Sequence, residues 1–239
     1  MPETQSAHVF TSPATANRSA PTSLVRHHLR PSAWPAIAGI AYVIAWATGL
    51  SVFPVNLSLA ATAHQVVSAY AAHPGLGALQ YGLNEGAAGV LLGVVLLVYI
   101  TTARALGGRV PRLAVLAAVV AVAISLAQCV IGLTMIVQAQ AGRLGETLAL
   151  ENTVDRMDGV KMLAIAVCAC YVAIRRQGGR RLPAWLRVVS FALAVSIAVS
   201  AIAYLFLIEP LAWVVYVAGP FLLLWVAGVG IWLTLIRRR

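Results

Sequence analysis

Six apolar runs, each close to or above the roughly 17–25 residues that a helix needs to cross a bilayer, make up most of this chain. They are read as residues 33–55, 76–102, 113–138, 159–174, 188–208 and 211–236. Hydrocarbon offers the backbone no hydrogen-bond partner, so each run must satisfy its own N–H and C=O groups as a helix. The period-two alternation that marks a transmembrane barrel is absent. The fold class expected is therefore an all-α membrane protein, a bundle of six transmembrane helices over residues 33–239. Residues 1–32 are polar and rich in Pro, Ser, Thr and Ala, and read as a disordered basic tail. The fourth run, the shortest at 16 residues, is expected to borrow a turn from the loop before it.

Charge then orients the bundle. Only 10% of residues are charged, against about 25% in soluble domains. The net charge of +10 comes from arginines at the ends of apolar runs, a topological signal and not a nucleic-acid surface. Arg18, Arg26 and Arg30 precede the first run, and Arg104, Arg109 and Arg112 follow the second. Arg175, Arg176, Arg180, Arg181 and Arg187 follow the fourth, and Arg237, Arg238 and Arg239 end the chain. Those 14 of the 17 basic residues fall on one side of a six-crossing path, leaving Arg143, Arg156 and Lys161 for the other. The positive-inside rule places both termini in the cytoplasm of a cell membrane. Glu146, Glu151, Asp155, Asp158 and Glu209 lie at or beyond the outer boundary.

The outer connections 56–75 and 139–158 are the longest. HQVVSAYAAHPG in the first has helical spacing and is expected to lie along the outer surface. Glu209-Pro210 marks a tight hairpin with Pro210 in the first turn of the last helix, and Pro220 interrupts that helix's hydrogen bonding. Three helices followed by three of opposite orientation permit an inverted repeat, without internal sequence similarity to support it. Trp34, Trp185, Trp213, Trp225 and Trp232 suit interfacial belts or lipid-facing packing.

The run LQYGLNEGAAG places a carboxylate, Glu85, inside the second span. Gly82, Gly86, Gly89 and Gly93 fall on one helical stripe and let another helix approach closely. Glu85 lies about 60° from that stripe, facing other helices and not lipid. It stands about 13–14 Å below the outer end of its span, level with Gln128, Trp46 and Ser200, and Tyr204 and Tyr216 are one turn shallower. Tyr81, at i−4, and Gln128 are the expected hydrogen-bond partners. The candidate intramembrane polar site is thus Glu85, Tyr81, Gln128, Ser200 and Tyr204, in a cavity open toward the outer face. Asn84 and Gln80 are expected on the opposite side of the helix.

Asp155, Asp158 and Lys161 form an outer-face charged cluster. Asp158 and Lys161 stand at i, i+3, with Lys161 expected to snorkel to the headgroups. His64 and His73 have no third ligand at metal spacing, so no metal is expected. Cys168 and Cys170 point about 200° apart on a helix and, with Cys129, read as small buried hydrophobes. Asn56-Leu57-Ser58 fits the glycosylation sequon. Motifs for ATP binding, zinc hydrolysis, isoprenoid chemistry and a nucleophile elbow are absent, and no cofactor is expected.

PAIAGIAYVIAWATGLSV resembles the opening of a bacterial family of six-helix integral membrane proteins classed as a domain of unknown function. SAYAAHPGLGALQYGL, RLPAWLRVVSFALAVS and WVAGVGIWLTLIRRR follow in the same order. The resemblance implies the six-helix fold over residues 33–239 and no activity. Three functions are compatible with these features. The first is an accessory, regulatory or assembly module packed against another membrane subunit or a second copy of itself. The others are a small proton- or cation-coupled transporter using Glu85, and an intramembrane enzyme acting on a lipid or isoprenoid with Glu85 as general acid.

Overall fold

A computed structural model describes residues 32–53, 57–177 and 180–237. The N-terminal tail through residue 31, Asn56 of the sequon and the last two arginines lie outside the described residues. Apart from a two-residue antiparallel ladder between β1 (Arg176–Gln177) and β2 (Arg180–Arg181), the regular structure is helical. Six helical stretches are long and apolar enough to cross a membrane: Trp34–Val52, Pro74–Ala105, Arg112–Gln140, Leu144–Ile174, Ala184–Phe206 and Glu209–Arg237.

The first span is α1 (Trp34–Val52). After it, α2 (Ala63–Ala72) begins with a capping box: the Thr62 hydroxyl accepts from Gln65 N, while Gln65 Oε1 accepts from Thr62 N at 2.8 Å. This satisfies two otherwise orphaned donors. The spacing of HQVV predicts this helix, but it does more than lie on the surface. Val66 and Tyr70 are buried, in one apolar cluster with Met135, Ile136 and Val154.

The second span is interrupted. α3 (Pro74–Tyr81) passes into a π-helical turn, Gly82–Ala87, and then α4 (Ala88–Ala105). The third span is α5 (Arg112–Gln140), whose exposed Leu113, Leu116, Val119, Val130 and Val137 give it an apolar outer face.

The fourth span, α6 (Leu144–Ile174), corrects the boundary at 159. Glu151, Asp155 and Asp158 interrupt the apolar run and displace a hydropathy-based start, yet their 4, 3 spacing puts them on one helical face. A helix that turns its acids away from lipid needs no loop there. α7 (Ala184–Phe206) ends at Leu207, in the left-handed conformation with φ 52°. α8 (Glu209–Ala212) has Pro210 in its first turn, as expected, and α9 (Val215–Arg237) contains Pro220.

α6 packs against α5 and α7, α9 against α1 and α7, and α4 bridges α1 and α5. Tyr171 near the end of α6 donates to the Arg109 carbonyl before α5, so these two arginine-bearing loops share one end of the bundle. Trp34, Trp185 and Trp213 are exposed, but Trp225 is 0% exposed and Trp232 is also buried. These last two are therefore core side chains, because α9 is packed against α1, α4 and α7 and has little free surface at those positions.

Candidate functional site

The site begins with a helical register. Asp158 and Lys161 of α6 are three residues apart and so project from one face. Lys161 turns inward, not outward to the headgroups as expected. Its Nζ lies 2.6 Å from Asp158 Oδ1 and 2.7 Å from Glu85 Oε2. The side chains of Lys161 and Glu85 are only 12% and 13% exposed. Glu85 thus finds a cation on a distant span where hydrogen-bond partners Tyr81 and Gln128 were expected.

Local backbone geometry makes this possible. Ala88 N–H bonds to Leu83 O, five residues back, which widens the turn around Glu85. As a result Asn84, expected on the opposite side, lines the same cavity as Glu85. The Asn84 amide lies directly over Gly49 of α1, where any Cβ would collide with its oxygen. That oxygen is buried without a hydrogen-bond partner among the described residues.

The cavity has a volume of about 140 Å³ at the centre of the bundle. Tyr42 and Trp46 of α1, Ser125 of α5, Tyr204 of α7 and the three charged groups line it. Tyr204 and Val215 also border a second cavity, of about 210 Å³, with Ser58, Glu209, Trp213 and Tyr216. Tyr204 therefore stands between the buried charges and the end of the bundle opposite the arginine loops. Asp155, Asp158 and Glu209 all lie within Coulombic reach of it.

The other expected site residues separate. Tyr81 pairs with Tyr70 at 3.3 Å between hydroxyl oxygens, next to Glu151, and its ring covers Gly132. Burial raises the Tyr70 phenol above the ordinary tyrosine range. Gln128 donates to the Val154 carbonyl at 3.0 Å, and Ser200 donates to Ser196 O within its own helix. Neither lines the cavity. The glycine stripe faces α5 at three of its four positions: a Cβ on Gly86, Gly89 or Gly93 would meet Cys129, Ser125 or Val122. Gly82 has open space beside it.

Tyr42 and Ser125 are cavity residues that sequence reasoning missed. The signal was available for Tyr42, which stands at i, i+4 with Trp46 on α1 and so shares its face. Ser125 offered none, since small hydroxyl residues are common in membrane helices.

With Glu85 and Asp158 ionised and Lys161 protonated, the cluster carries a formal charge of −1. An unbalanced charge in a desolvated site is costly, so the arrangement favours uptake of one further positive charge. Among the described residues, no group of three or more His, Cys, Asp and Glu side chains is placed to hold a metal ion. No family model, no curated protein and no solved structure matches this chain.

Proposed function

We propose that this chain is a small membrane carrier in which the Glu85–Lys161–Asp158 cluster exchanges one proton for one monovalent cation. The observation that carries this reading is a lysine held between two carboxylates beside a cavity, a cluster with one negative charge in excess when both carboxylates are ionised. Only a proton or one cation at a time restores neutrality in the low-dielectric interior, and mutual exclusion at one site is the basis of exchange. The second cavity shares Tyr204 and Val215 with the first and lies toward one end of the bundle. Pro220 with the adjacent Gly219 marks α9 as an element able to bend beside the site.

The assembly-module reading rested on missing catalytic motifs and on Glu85 as a lone acid, whereas Glu85 shares Lys161 with Asp158 and Gly86, Gly89 and Gly93 face α5 of the same chain. The carrier is placed in a cell membrane with both termini cytoplasmic, as the arginine asymmetry supports.

Proteoliposomes with a trapped pH dye test the exchange. A sodium, potassium or tetramethylammonium gradient is expected to drive counter-movement of protons, and Glu85→Gln to abolish it. If none of these cations moves protons above the rate of empty vesicles, the carrier reading fails.

A further inference from the structure

Building on that reading, we infer that the cation is a small organic ammonium, bound between the carboxylates and the aromatic residues Tyr42, Trp46 and Tyr204. The first argument is chemical mimicry. Lys161 Nζ is itself an ammonium bridging Glu85 and Asp158 at 2.7 and 2.6 Å, so the site already shows how it holds such a group. The second is the composition of the cavity. A bare metal ion is best served by a shell of hard oxygen ligands, whereas three aromatic side chains share these walls with two carboxylates. Aromatic residues attract ammonium ions through the ring quadrupole, and quaternary ammonium recognition relies on that attraction.

Size gives a third constraint. About 140 Å³ is close to the roughly 150 Å³ cavity that accommodates a benzene-sized guest. This admits a methylated ammonium of about five heavy atoms and rejects a long-chain or polycyclic amine. The route is also selective. The second cavity, on the far side of Tyr204, contains Glu209, and Asp155 lies within Coulombic reach of both Glu209 and Asp158. Acidic groups therefore accompany the path, which attracts cations and repels anions.

Equilibrium binding of radiolabelled tetramethylammonium to the purified full-length protein in detergent tests this inference. Saturable binding of one cation per chain is expected. Glu85→Gln and Trp46→Leu should each weaken it at least tenfold, while Trp46→Phe, which keeps an aromatic ring, should stay within about threefold of the parent. Sodium at a hundredfold excess should not displace the label. Absence of saturable binding would overturn the proposal, as would equal affinity in Trp46→Leu and Trp46→Phe, or displacement by sodium. Exchange of protons for sodium alone in the vesicles would defeat the organic-cation assignment and leave the carrier reading standing. Failure of every cation there would defeat both.

Discussion

Lys161 and Glu85, 76 residues apart in the chain, meet at 2.7 Å between Nζ and Oε2 across α6 and the π-helical turn of the second span. Each is only about an eighth exposed, so neither charge could be left alone without a large penalty. This pair couples the fourth span to the second and makes the cavity charged where the surrounding core is apolar.

Removing the cation alone from this three-member cluster should therefore be worse than removing all three charges. Lys161→Met leaves Glu85 and Asp158 facing each other without a cation and is expected to destabilise the fold by about 3–5 kcal/mol. Glu85→Gln leaves the Asp158–Lys161 pair intact and should cost less. The triple change Glu85→Gln, Asp158→Asn, Lys161→Met should recover most of the stability lost by Lys161→Met. Thermal unfolding of the detergent-purified variants measures the order.

The glycine stripe makes a contrast within one span. A Cβ on Gly89 would stand 2.7 Å from Ser125 Cβ, whereas one on Gly82 meets nothing within 4 Å. Gly89→Ala is expected to overpack the α4–α5 contact, losing about 1–3 kcal/mol, while Gly82→Ala should be neutral or slightly stabilising. Equal melting temperatures for the two variants would contradict the packing described.

Thr62→Ala removes the N-cap of α2 and should loosen it by about 1 kcal/mol. Amide hydrogen exchange over residues 63–72 is expected to accelerate, with α5 and α6 protected as before.

Tyr70 gives a pH dependence. Its folded-state phenol titrates above the ordinary value because burial disfavours the phenolate. The unfolded chain titrates near pH 10, so Tyr70 contributes full stability below that pH and loses it as pH rises through the alkaline range. Tyr70→Phe should flatten the fall in melting temperature between about pH 9.5 and 11 relative to the parent protein.

Orientation is accessible to labelling. With the three native cysteines replaced, cysteines introduced at Gly108 and at Pro183 should react from the cytoplasmic side, and one at Gly142 from the opposite side. Labelling of Gly108 and Gly142 positions from a common side would break the six-crossing path.

Much of the architecture was legible because lipid imposes it. The apolar lengths gave six crossings, and Pro210 marked the first turn of the last helical stretch, whereas the starts at Thr62 and Pro74 emerged from the structure. The start of α6 was not legible from hydropathy, since Glu151, Asp155 and Asp158 lower a window average regardless of which way they point. Trp225 and Trp232 misled for a similar reason: a tryptophan in an apolar span suits a headgroup belt, a lipid-facing position or a packed core, and only the neighbours distinguish them.

The sequence by itself determined the solvent, the number of crossings and the presence of an acid inside the second span, because those follow from composition along a line. Tertiary structure decided what that acid touches. A π-helical turn re-aimed Asn84 and Glu85 together, and the inward rotation of α6 delivered Lys161 to them while Tyr81 and Gln128 went to other partners. Such pairings depend on the relative rotation of helices about their axes. That rotation is set by packing among all six spans and has no signature in any one of them.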